Sequence, residues 1–107
     1  METNIERAGE ILEAMAATFK ERSSAYKGNR EVAANMFQSM FPKGVSLTTA
    51  FDHERFHILS LIVVKLSRYA VNFETGGHQD SIHDAAVYCA ILEGVDEKAQ
   101  APALKVK

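Results

Sequence analysis

Between Asn4 and Tyr26 the apolar residues fall at Ile5, Ala8, Leu12, Met15 and Phe19, in alternating steps of three and four, with Glu6, Glu10, Glu13, Lys20 and Glu21 largely elsewhere. Steps of that size keep side chains on one face of an α-helix. The pattern predicts an amphipathic first helix, opened by Thr3 or Asn4 as N-cap, carrying Tyr26 on the same face and closed by Gly28. A second helix is expected over 29–41, with Val32, Met36 and Met40 on its apolar side and Pro42 beyond its end. After the loop 43–47, Thr48 or Thr49 caps a long third helix reaching about Asn72, apolar in its second half. Gly76 and Gly77 lead into a fourth helix expected over 79–93 and stopped at Gly94.

No strand is predicted, because the β-branched residues keep helical spacing and hairpin dipeptides are missing. The fold class is therefore all-α, a four-helix bundle occupying 1–94 as one domain, with the tail 95–107 expected to be poorly ordered. The fourth helix is apolar around most of its circumference over 85–92, which places it at the centre of the bundle or under a second subunit. A homodimer or higher homo-oligomer follows as an expectation. Met15, Met36 and Met40 read as core filling, and Cys89 as a small buried hydrophobe.

Apolar residues make up 47% of the 107 and charged residues 24%, the balance of a folded globular domain rather than a disordered chain. The formal net charge of -2 and pI near 6.1 leave no basic excess for a nucleic-acid backbone, so polymeric DNA or RNA is not the expected partner. One cysteine allows neither an intramolecular disulfide nor a cysteine-rich zinc site, and a reducing cytoplasm is the expected setting. No signal-peptide pattern opens the sequence and no apolar run approaches the roughly 20 residues that span a bilayer, so neither export nor membrane insertion is expected.

Candidate chemistry sits on the apolar helices. Lys65 and Arg68 are three apart on the third helix, and Asp80, Asp84 and Tyr88 repeat at four on the next. Two readings are open. The cations and carboxylates pair and close a helical hairpin, or the carboxylates hold a hard divalent cation while Lys65 and Arg68 receive phosphates. Glu31, at the start of the second helix, is a third candidate carboxylate, or a favourable partner for that helix's dipole. His78, beside Asp80, is a candidate phosphate contact. His53-Glu54-Arg55-Phe56-His57 spells H-E-x-x-H, but no further ligand follows at metalloprotease spacing, and solvent-facing or core histidines are the expected account.

Three stretches, Tyr26-Lys27-Gly28-Asn29-Arg30-Glu31, VVKLSRYA at 63–70 and GHQDSIHDAAVYCAI at 77–91, together resemble small phage and prophage proteins. That group is related to nucleotide-modification-associated domains and, more distantly, to MazG-like all-α nucleoside triphosphate pyrophosphohydrolases. The resemblance covers roughly 21–92. It implies a MazG-like bundle in the host cytoplasm, with Asp80, Asp84 and Glu31 as Mg²⁺ (or Mn²⁺) ligands and catalytic groups. Lys65, Arg68, His78, Tyr26 and Tyr88 would then contact the nucleotide, the tyrosines by stacking on its base. The acidic helix of such enzymes is reduced here, since Glu31 is followed by Val32, Ala33 and Ala34.

Three functions follow as expectations. The first is Mg²⁺-dependent cleavage of a (deoxy)nucleoside triphosphate to monophosphate and pyrophosphate. The second is non-catalytic binding that sequesters a nucleotide, such as a signalling nucleotide of a host defence system. The third is a helical module that docks on a partner protein.

Overall fold

In the computed structural model, residues 3–26 and 28–106 are described, with side chains described over 3–23 and 28–99. The elements run α1 (Asn4–Tyr26), α2 (Asn29–Met40), α3 (Ala50–Val71), a 3₁₀ turn (Phe73–Thr75) and α4 (Gln79–Val106). Among the described residues there are four α-helices and no strand, so the all-α expectation holds. No helix among them is long and apolar enough to cross a membrane.

Local chemistry sets the helix starts. The Thr3 side chain accepts from the Glu6 N–H at 3.1 Å while Glu6 accepts from the Thr3 N–H at 2.9 Å, a reciprocal cap that satisfies two otherwise orphaned donors. Thr49 and Asp52 do the same for α3, and the Asp52 carboxylate also accepts from the Thr48 N–H and hydroxyl. Backbone hydrogen bonds from Thr48 and Thr49 are the main cause that holds the Asp52 carboxyl below its ordinary 3.8. A group so lowered contributes stability above the unfolded value and loses it as pH falls through the folded one. Protection of the amides at the start of α3, relative to their intrinsic exchange, is therefore expected to fall only below pH 3.8, with an Asp52 titration midpoint under that value; a midpoint at or above it contradicts the cap.

Packing places α3, not α4, in the middle. On one side Asn29 at the start of α2 reaches Ser67 near the end of α3, while Phe37 and Phe41 meet Phe56 with ring centroids 5.6 and 5.9 Å apart. These contacts make α2 antiparallel to α3. On the other side Lys65 meets Asp84 and Arg55 meets Asp96, so α4 is antiparallel to α3 as well. The buried apolar residues Ala33, Ile58, Ile62, Val63 and Ala85 lie along these two contacts. Ser67 and Ser81 are fully enclosed, and their small size lets the backbones approach.

Several expectations are corrected here. Helix α4 does not stop at Gly94. A glycine inside a helix costs only about 1 kcal/mol relative to alanine, and the next turn is held to α3 by Arg55 Nε donating to Asp96 at 2.8 Å, while Val95 is half-buried. The expectation for 100–107 lies outside the residues whose side chains are described. Met15, Met40 and Cys89 are exposed rather than buried, as are Val87 and Ile91 on α4. Their apolar faces exist, but among the described residues nothing lies over them. Helix α1 shows this most fully, because every side chain from 3 to 23 is exposed. The chain is accordingly extended: its radius of gyration is 19.0 Å, against about 13 Å for a compact domain of 100 residues.

Candidate functional site

The α3–α4 hairpin brings Lys65 Nζ to 3.2 Å from Asp84 Oδ2. Lys65 is mostly covered by the hairpin, whereas Asp84 is about half exposed, and such a pair contributes on the order of 1 kcal/mol or less. Spacing left open whether these charges would pair or hold a metal; in this chain Lys65 and Asp84 pair. Asp80 stands exposed one turn earlier, and Tyr88 is half-buried one turn later. His78 is engaged at the start of α4, where its Nδ1 accepts from the Ser81 N–H at 3.3 Å and lies 2.6 Å from the Ser81 hydroxyl. It serves as a helix cap through that nitrogen. Glu31 is exposed in the first turn of α2, the favourable place for an anion near a helix N-terminus.

Mg²⁺ prefers oxygen ligands and usually takes one or two carboxylates with waters. Among the described residues no three Asp, Glu, His or Cys side chains gather closely enough to hold a metal ion. Glu31, Asp80 and Asp84 thus do not form a three-carboxylate centre within the single chain, and an ammonium already sits against Asp84. Within one chain the three-carboxylate set that the resemblance implies is not assembled among the described residues. His53, Glu54 and His57 are exposed on the early part of α3.

A different feature lies on the other side of α3. Gly28, left-handed with φ +75°, stands at the start of α2, and a groove of about 760 Å³ lies beside it. Phe19 and Arg22 come from α1, Arg30 and Phe37 from α2, and Arg68 from α3, with Asn29 at the turn. No Asp or Glu is among its described lining residues. The exposed guanidinium groups of Arg22 and Arg30, with two phenyl rings, suit a ligand that has both anionic oxygens and a flat apolar body. Below them, Asn29 donates to the Ser67 hydroxyl at 3.3 Å and Ser67 donates to the Val64 carbonyl at 2.6 Å. This buried chain of hydrogen bonds fixes the turn to α3 and with it the position of Arg30.

Of the residues singled out by sequence, Lys65, Asp80, Asp84, His78 and Tyr88 belong to the hairpin side, and Arg68 belongs to the groove. The Tyr26 side chain lies outside the described residues. Arg22, Arg30, Phe19 and Phe37 went unnoticed in the sequence. A cue existed in the arginines flanking the Tyr-x-Gly turn on both sides.

No family model matches the chain. No curated protein and no solved structure matches it. Function therefore has to be argued from the groove and the hairpin themselves.

Proposed function

We propose that this protein binds a nucleotide in the groove between α1, α2 and α3 and holds it without turning it over. One observation carries this reading: Arg22, Arg30 and Arg68 line a single groove together with Phe19 and Phe37, and no carboxylate is among its described lining residues. Arginine's planar fork matches phosphate oxygens in pairs, and the phenyl rings offer a stacking surface for a base. The volume lies within the usual range for small-molecule sites, about 300–1,000 Å³. A cytoplasmic setting, expected from the sequence, and the resemblance to phage and prophage proteins would suit sequestration of a nucleotide from a host pathway.

The test is recovery of the ligand. After incubation with a nucleoside triphosphate and Mg²⁺, the bound fraction is expected to return the triphosphate unchanged. Stoichiometric release of pyrophosphate and monophosphate overturns the sequestering role.

A pyrophosphohydrolase is the second reading. Asp80 is exposed one turn from Asp84 and accessible to a ligand, which favours it, together with the MazG-like resemblance. Its acidic set would have to be completed by residues beyond those that one chain brings together. Under this reading Asp84→Asn abolishes pyrophosphate release while preserving helix content. Under the sequestering reading the same substitution leaves nucleotide affinity within about twofold, since Asp84 does not line the groove.

A further inference from the structure

We infer that two copies of this chain pair through α1, running antiparallel, and that this helix is the principal interface of the assembly. The surface area makes some partner necessary. A compact monomer of 11.8 kDa exposes about 5,900 Å², whereas this chain exposes 8427 Å². The excess, roughly 2,500 Å², exceeds the ~800 Å² that each partner contributes to a standard interface.

Helix α1 is where the exposed apolar surface is most continuous. Ile5, Leu12, Met15 and Phe19 are 85%, 65%, 60% and 67% exposed, and they form one stripe over four turns of this 23-residue helix. A lone helix of this length is only marginally stable in water unless its apolar face is packed. The stripe ends beside the groove, because Phe19 lines it.

Charge identifies the occupant as a second α1 and sets its direction. The first half of the helix carries Glu6, Glu10 and Glu13 against one Arg7, and the second half carries Lys20 and Arg22 against one Glu21. With the axis near Leu12, antiparallel pairing sets Glu6 nearly level with the second copy's Lys20 and Arg7 within about one turn of its Glu21, while Glu10 and Glu13 meet near the axis. Parallel pairing sets acid against acid. The antiparallel arrangement is also self-complementary about a two-fold axis, as an isologous dimer requires, and it opposes the two helix dipoles favourably. With the axis near Leu12, Ile5 of one copy falls close to Phe19 of the other. Each groove then has the neighbouring copy's first turn at its rim.

The inference stands apart from the nucleotide reading, because its test uses no nucleotide. Light scattering of the full chain at tens of micromolar is expected to give twice 11.8 kDa or a multiple of it. Leu12→Lys combined with Met15→Lys is expected to raise the dissociation constant at least about 100-fold with helix content retained, since both side chains already face solvent within one chain. In a Cys89→Ser background, Leu12→Cys should cross-link with a short bismaleimide. Ile5→Cys should not, because antiparallel pairing separates its two copies by about 20 Å. A monomeric wild-type chain overturns the inference. So does an undiminished dimer in the double-lysine variant, which would place the interface on the exposed face of α4, and so does cross-linking at position 5 as efficient as at position 12.

Discussion

Arg22→Glu combined with Arg30→Glu is expected to lower the affinity for a nucleoside triphosphate by at least about 100-fold. Each arginine offers charge-assisted hydrogen bonds of about 1.5–3 kcal/mol to a phosphate, and every 1.4 kcal/mol is a factor of ten in affinity. Reversal rather than truncation adds repulsion to that loss. Both side chains are exposed, so the helical fold should survive, with unchanged far-ultraviolet circular dichroism as the check. Calorimetric titration measures the effect. An affinity within threefold of the wild-type value places the ligand elsewhere. Lys65→Ala is the informative contrast: it breaks the pair with Asp84 on the hairpin side and leaves the groove lining intact, so it should change affinity little.

The second large effect is structural. Gly77→Ala is expected to destabilise the protein by about 2–4 kcal/mol. Gly77 has φ +75°, a region that costs an L-residue about 1–2 kcal/mol, and a Cβ built there overlaps the edge of the Tyr69 ring. That ring in turn packs edge-on against Phe73, with centroids 6.0 Å apart, so its displacement disturbs the whole α3–α4 connection. Overpacking of this kind typically costs a further 1–3 kcal/mol. Gly44→Ala provides the comparison, since Gly44 has φ +83° but open space where a Cβ would stand. Denaturant unfolding should show Gly77→Ala to be clearly the more damaging of the two. Equal losses would mean that Tyr69 moves aside freely and that only backbone strain remains.

Much of the local structure was legible because it is written in neighbouring residues. The stripe from Ile5 to Phe19, the Gly28 turn and the Thr49–Asp52 cap are all set within a few positions of chain, and α1 occupies the span that its pattern predicted. The end of α4 was not legible. Gly94 weakens a helix only slightly, and the contact that carries α4 onward, Arg55 to Asp96, spans 41 positions. Burial was only half legible, for a reason that Met15 and Cys89 make plain. Periodicity reveals that a face is apolar, but it does not say which chain covers it.

The candidate site divides in the same way. Helical spacing on consecutive helices brought Lys65 and Asp84 to facing sides, because a short connection forces such helices to lie side by side, but it left open whether they pair or hold a metal; here they lie 3.2 Å apart. The groove escaped notice because Arg22, Arg30 and Arg68 sit on three different helices and look like ordinary surface charges in the sequence. The buried Asn29–Ser67 contact holds the start of α2, and with it Arg30, against α3, where the groove lining brings the three together. Glu31 was read with Asp80 and Asp84 as one set, and among the described residues of the single chain no such three-residue cluster forms.

The central claim is that this arginine-lined groove takes a nucleotide and needs no metal to do so. Its most direct test is a thermal-shift titration of the wild-type chain with nucleoside mono-, di- and triphosphates, each with EDTA and with Mg²⁺. A ligand that binds the native state raises the melting temperature by mass action, by the equivalent of about 2.7 kcal/mol at 100 times its dissociation constant. The account predicts stabilisation that grows with phosphate number and persists in EDTA. Stabilisation that appears only with Mg²⁺, or none with any nucleotide, contradicts it.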